Sequence, residues 1–203
     1  PMSIMVAVGR GASAGVLVRD AEALQTLERV NTLVVDKTGT LTEGKPRLVA
    51  VTPSEGWSET DLLQLAASVE RGSEHPVAAA IVHGAEERGV VLGEASDFQS
   101  TTGRGVVAVV DGRRVAVGNA RLMEEIRASI ASHGDAAEGQ RRQGQTVMFV
   151  AVDGKFAGLL GVADPVKEST AEALRRLREE GIEIVMLTGD SRGTAEAVPR
   201  LSP

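Results

Sequence analysis

Two Asp-Gly pairs constrain the middle of this chain more than any other feature. Asp111-Gly112 lies between "VVAVV" and "RRVAVG", and Asp153-Gly154 between "VMFVAV" and "KFAGLLGVA". Asp-Gly between β-branched runs specifies a two-residue turn joining antiparallel strands, so the middle of the chain is expected to hold an antiparallel sheet. The ends follow another pattern. Ala12 to Leu27 has apolar residues at helical spacing (Val16, Leu17, Ala21, Leu24, Leu27), and Thr32 to Val35 is an apolar run suited to a buried strand. After Asp164-Pro165 an amphipathic helix (Ala171, Leu174, Leu177) leads into the strand "IEIVML". Both ends read as helix and parallel strand, which predicts an α/β domain interrupted by an inserted α+β domain, hinged near Pro46 and Pro165.

Within the insertion, "RLVAVT" is expected as a strand. A helix follows Ser58, with Asp61 three residues on, and another starts at Pro76. The polar, Gly-rich "SHGDAAEGQRRQG" from Ser132 to Gly144 reads as a loop. Aromatic residues make up only 2% of the 203, against 42% apolar in all, so the core is expected to be Val, Leu, Ile and Ala, a composition that suits helices packed on sheets. Arginine is scattered and the net charge is −6, which leaves no electrostatic footprint for nucleic acid. The absence of cysteine removes disulfides and thiolate metal sites and fits a reducing compartment. "PMSIMVAVG" is shorter than the roughly 20 residues of a membrane span. It also lacks the preceding positive charge of a signal peptide. It reads equally as a buried element or as the last piece of a membrane helix.

The chemistry centres on "LVVDKTGTLTEG", Leu33 to Gly44. Reactive groups in open α/β sheets gather beyond the carboxyl ends of parallel strands, and Asp36 directly follows one. "TGD", Thr188 to Asp190, directly follows another and is expected to face the same crevice. A carboxylate there can act as a nucleophile toward phosphorus if the charge on the transferring group is offset. Thr38, Thr40 and Thr188 offer hydroxyls, and Gly39 and Gly189 let backbone amides approach closely. The plain alternative is a strand-ending turn, since Asp, Thr and Gly are ordinary turn residues.

"DKTGTLTEGKP" resembles the phosphorylation motif of P-type ATPases, and "TGD" resembles their second phosphate-site motif. "SEHP" (Ser73–Pro76), "TGRG" (Thr102–Gly105) and "VGN" (Val117–Asn119) are similar to motifs of the nucleotide-binding domain in the heavy-metal branch. "PMSIM" resembles the end of a membrane helix in the copper and silver exporters. The resemblance spans essentially the whole chain. It implies a haloacid-dehalogenase-like (Rossmann-type) phosphorylation domain, incomplete here, with the nucleotide-binding domain inserted. The implied division is 1–11 as the end of a membrane helix or a linker, 12–47 and 161–203 as the two segments of the phosphorylation domain, and 48–160 as the insertion.

By the same resemblance Asp36 is the phosphorylated residue, Lys37 its charged neighbour, and Mg²⁺ is held by the Asp36 carboxylate and the Thr38 carbonyl. Thr188, Gly189 and Asp190 order the phosphoryl group. Glu74, His75, Gly103, Gly105, Gly118 and Asn119 hold ATP, with His75 on adenine, Glu74 reaching its exocyclic amine and the glycines as a wall. On that view a valine at Gly105 blocks nucleotide and spares the fold. The implied protein is a cell-membrane, ATP-driven exporter of Cu⁺ or Ag⁺ with this part on the cytosolic face, soluble in isolation. Its partners are its own membrane and actuator domains, and the ion binds elsewhere. Two alternatives stay open: a soluble phosphatase of the same superfamily, and a nucleotide-binding fragment without turnover. Such phosphatases carry a second aspartate two residues after the first, where this chain has Thr38. Carboxylates that complete the Mg²⁺ site in the family are expected beyond Pro203, so the chain alone is expected to turn over little ATP. His83 and His133 read as surface residues, and the five methionines are too scattered for a metal site.

Overall fold

The computed structural model describes residues 2–130 and 133–187. Both Asp-Gly pairs make the expected hairpins. Asp111 and Gly112 have φ of 51° and 75°, as do Asp153 and Gly154, the double positive φ that matches the twist of flanking strands. They join β4 (Gly105–Val110) to β5 (Arg113–Gly118) and β6 (Thr146–Val152) to β7 (Lys155–Ala163). With β2 (Arg47–Pro53) and β3 (Ala95–Thr101) these strands form one antiparallel sheet in the order β2-β7-β6-β5-β4-β3.

The period of two sorts the side chains of this sheet onto two faces. Val106, Ala108, Val110, Val115, Val117, Val150 and Val152 point to one side. There they pack with Leu62, Leu63, Val69 and Ile81 of α3 (Glu59–Glu70) and α4 (Pro76–Glu87). Ala116, Val147, Phe149 and Ala151 point the other way, toward Leu122 and Met123 of α5 (Ala120–Glu125) and Ala137 of α6 (Gly134–Arg142). The expected helix starts are present: Ser58 Oγ accepts the Asp61 N–H at 3.0 Å, and Pro76 is the first residue of α4.

Two expectations are corrected. Gly134–Arg142 is helical, not a loop, because Ala137 is fully buried against the sheet and Glu138 pairs with Arg141 and Arg142 at 3.6 and 3.8 Å. The 12–27 helix is in fact two pieces. α1 (Met2–Ser13) ends before Gly15, whose φ is +80°, and α2 (Ala21–Leu27) starts afresh with Asp20 Oδ1 capping the Ala23 N–H at 2.8 Å. α1 buries none of its residues, and no helix among the described residues is long and apolar enough to cross a membrane.

The outer segments meet as expected. β1 (Thr32–Asp36) pairs in parallel with β8 (Glu183–Leu187), placing Asp36 opposite Leu187. Val35, Ile184 and Met186 pack on Leu41 and on Leu174 of α7 (Glu168–Glu179). The opposite face of this strand pair, Val34 and Val185, is exposed.

Candidate active site

Asp36 is the last residue of β1, and its side chain is exposed at the carboxyl end of the strand. The chain then turns tightly through residues 37–41, closed by a hydrogen bond from Thr42 N–H to Lys37 C=O at 3.2 Å. Thr38 is extended (φ −76°, ψ 122°) and Gly39 has φ +77°, a conformation that glycine adopts without strain. The turn sorts its side chains: Lys37, Leu41 and Thr42 are buried, while Asp36, Thr38, Gly39 and Thr40 face outward. The outward face of the turn therefore carries one carboxylate and two hydroxyls within five residues.

The turn is held by a segment that sequence reasoning treated only as a hinge. Asp164 Oδ2 lies 2.6 Å from Thr42 Oγ1, and Asp164 Oδ1 accepts the Lys45 N–H at 3.1 Å. Thr42 Oγ1 in turn accepts the Gly39 N–H at 3.1 Å. Its single proton goes to the carboxylate, the charged and nearer acceptor, rather than to Lys37 C=O at 3.1 Å. Lys167 Nζ donates to Gly39 C=O at 2.7 Å, and Thr170 Oγ1 to Leu41 C=O at 2.7 Å. Gly39 is thus pinned on both sides, its C=O directly by Lys167 and its N–H by Thr42, which Asp164 holds in turn from 122 residues away, a relationship only the fold creates. Thr188, Gly189 and Asp190 lie outside the described residues; the last described neighbour on that side is Leu187, opposite Asp36.

In the inserted sheet, Gly103, Gly105, Gly118 and Asn119 come together. Asn119 is the organiser: its Nδ2 donates to Gly103 C=O at 2.8 Å and its backbone N–H to Arg104 C=O at 2.8 Å. Its Oδ1 caps α5 through the Arg121 and Leu122 amides at 3.1 and 3.2 Å. Gly103 is open, with no atom within 4 Å of where a Cβ would stand. Gly105 is different. It pairs directly with Gly118, and a Cβ on it would stand 2.2 Å from Val117 O and 2.9 Å from Leu122 Cδ2. The expectation that valine at Gly105 would spare the fold is therefore corrected: the side chain would enter the protein, not the crevice.

Glu74 and His75 are exposed just before α4. His75 Nδ1 accepts the Val77 N–H at 3.2 Å, which leaves Nε2 as the outward donor of the ring. This segment lies beside β3, since a Cβ on Gly72 would stand 3.0 Å from the Phe98 ring. The sequence reading missed Glu70, the last residue of α3. Only 4% of it is exposed, and burial pushes its carboxyl up to about 7, partly offset by a hydrogen bond from Ser73. The signal was an acid closing an apolar helix face just ahead of "SEHP". His83 stays on the surface beside Glu86 and Glu87, as read. His133, read as a surface residue, instead stacks on Phe156 with ring centroids 4.2 Å apart.

The geometry above, an exposed carboxylate at a strand's carboxyl end with an inserted sheet, coincides with a haloacid dehalogenase-like hydrolase family model that matches residues 30–202. The chain belongs to this family. Among hydrolases of this kind it is similar to a copper-exporting P-type ATPase of Legionella pneumophila, 56% identical over 98% of the chain and 27% of the relative. It is also similar to a silver-exporting P-type ATPase of Salmonella typhimurium, 50% identical over 98% of the chain and 24% of the relative. In structure it matches a zinc-transporting PIB-type ATPase in an E2.Pi state with a TM-score of 0.82 and 34% identity, covering 98% of the chain and 32% of that protein. The chain thus spans about a quarter of the length of the curated relatives it matches.

Proposed function

We propose that this chain is the cytosolic ATP-binding and phosphorylation part of a membrane-bound, ATP-driven exporter of monovalent copper or silver. The observation that carries the reading is the exposed Asp36 carboxylate at the end of β1, over a turn pinned at both sides of Gly39. An Asp36 oxygen attacks the γ-phosphorus of ATP in line, the bond from phosphorus to the β–γ bridging oxygen breaks, and ADP leaves with that electron pair. The immobilised turn keeps the nucleophile oriented, which lowers the entropic part of the barrier. Thr188, Gly189 and Asp190 are proposed to order the phosphoryl group. The transported ion binds outside this chain, whose partners are the protein's own membrane and actuator domains, with this part on the cytosolic side.

The donors present suit Mg²⁺, which takes hard oxygen ligands and keeps several waters with one or two protein groups and substrate phosphates. The Asp36 carboxylate and Thr38 carbonyl are such donors, both at the exposed rim of the turn. When bound, the ion offsets charge on the phosphoryl group.

A soluble phosphatase is the second reading, and Thr38 weighs against it. A hydroxyl at this position is a poor general base, so water attack on the phosphoenzyme is slow and the intermediate lasts. Incubation of the full-length protein with labelled ATP and Mg²⁺ tests the choice. The proposed reading expects a hydroxylamine-sensitive label that disappears in Asp36→Asn. Rapid release of phosphate with no trapped label would favour the phosphatase.

The inserted sheet is proposed to hold adenine nucleotide. His75 Nε2–H faces outward, and Gly103 leaves its side of the turn open.

A further inference from the structure

We infer that Arg104 recognises the phosphates of the nucleotide, and that Glu125 holds Arg104 in a latch which the phosphates must open. This deepens the nucleotide reading of the inserted sheet and rests on it. The base of the Arg104 side chain is fixed. Its N–H donates to Thr101 C=O at 3.0 Å, its C=O accepts from Asn119 N–H at 2.8 Å, and Gly105 after it is locked against Gly118. The residue before it, Gly103, is the open side of the turn. A fixed backbone beside open space sets where the side chain starts and leaves the guanidinium room to swing from Glu125 to an anion at the same turn.

That guanidinium now lies on Glu125, with Nη1 2.5 Å from Oε2, and both side chains are about half exposed at 47% and 52%. An ion pair so open to water contributes little to the fold and is readily exchanged. Glu125 is also badly placed for helix stability. It follows Glu124 at the carboxyl end of α5, whose last turn contains no basic residue, where the helix dipole disfavours acids. The pair therefore makes sense as an exchangeable contact rather than as a structural one.

Charge supplies the second argument. Glu74, His75, Gly103, Gly105, Gly118 and Asn119 include no lysine or arginine, and the chain is acidic overall at −6. A triphosphate brought to this turn needs a cation, and the turn itself presents Arg104. The planar guanidinium can bind phosphate through two parallel N–H donors, one of which, at Nη1, is now taken by the Glu125 carboxylate. Arg121, on the exposed side of α5, is a nearby cation that serves as the control for charge alone.

The test is calorimetric titration of the chain with ATP and with adenosine, using R104Q, E125Q and R121Q, each checked for unchanged circular dichroism. Arg104→Gln should weaken ATP about tenfold and leave adenosine unchanged, the scale of one charge-assisted contact. Glu125→Gln, which removes the competitor, should tighten ATP about threefold with adenosine again unchanged. Three results would overturn the latch: an unaltered ATP-to-adenosine ratio in R104Q, weaker ATP binding in E125Q, or an equal loss in R121Q, which would indicate diffuse charge alone. Failure of the wild-type chain to bind adenosine would instead remove the nucleotide reading itself, and the latch with it.

Discussion

Thr42 and Asp164 are 122 residues apart in sequence, yet their Oγ1 and Oδ2 atoms lie 2.6 Å apart. Through this contact the chain entering the inserted sheet grips the chain leaving it, directly beneath the turn that carries Asp36. Thr42→Val should therefore loosen the turn, because Asp164 loses a charged hydrogen bond and the Gly39 amide loses its acceptor. A cost of about 1–3 kcal/mol is expected. Hydrogen exchange should show it as lost protection at Gly39, with the amides of β4 and β5 unaffected.

The Gly105–Gly118 pair predicts folding defects. A Cβ at Gly118 would stand 2.4 Å from Arg104 O and 2.5 Å from Leu122 Cδ2, so the two strands and α5 could close only by shifting backbone. Alanine at either position should destabilise the chain by about 3 kcal/mol or more. Alanine at Gly103, where φ is +70° but space is open, should cost only about 1 kcal/mol. Thermal melts of the three variants check the ranking.

His75 has two separable roles. Asparagine can still cap α4 in place of the ring, whereas alanine cannot. Both variants should weaken ATP binding by about 1–2 kcal/mol, the loss of one polar or stacking contact. Only His75→Ala should also lower stability, by about 1 kcal/mol. Urea titration beside calorimetry separates the effects, and undiminished ATP binding in both variants would take His75 out of the site.

Glu70 predicts a pH dependence of unusual sign for a carboxyl. Burial raises it from 4.5 to about 7, so between these values the folded chain holds a proton that the unfolded chain has released. Its contribution is fully present below the lower value, falls as pH rises toward 7, and is constant above. The difference is up to about 3 kcal/mol. Glu70→Gln should flatten this slope and stabilise the chain at about pH 8 relative to the wild type, as denaturation midpoints at two pH values would show.

What could be read in advance was whatever is encoded locally. The Asp-Gly turns announce their hairpins because few other backbones accommodate them. Ser58 and Pro76 likewise mark helix starts by chemistry confined to a few residues. Asp36 was legible because an acid after an apolar run marks the end of a strand. The helix at 134–142 was hidden by its glycines, although Asp135 in its first turn and Arg141 and Arg142 in its last are the charge pattern a helix favours. Asp164 and Lys167 were illegible as supports of the turn, since nothing near them in sequence names Thr42 or Gly39. Gly105 misled for a related reason. A glycine required by a neighbouring strand looks the same as one required by a ligand.

The two crossings between the parallel pair and the large sheet run side by side. Thr42 bridges Val166, Glu43 N–H donates to Pro165 C=O at 2.8 Å, and Arg47 and Leu48 pair with Ala163 and Val162. A double ribbon stitched in this way resists sliding of one strand along the other, because each slip breaks the ladder of cross-strand hydrogen bonds. Mechanically it is a single strap rather than a pair of strings, and the foot of that strap is the turn that bears Asp36.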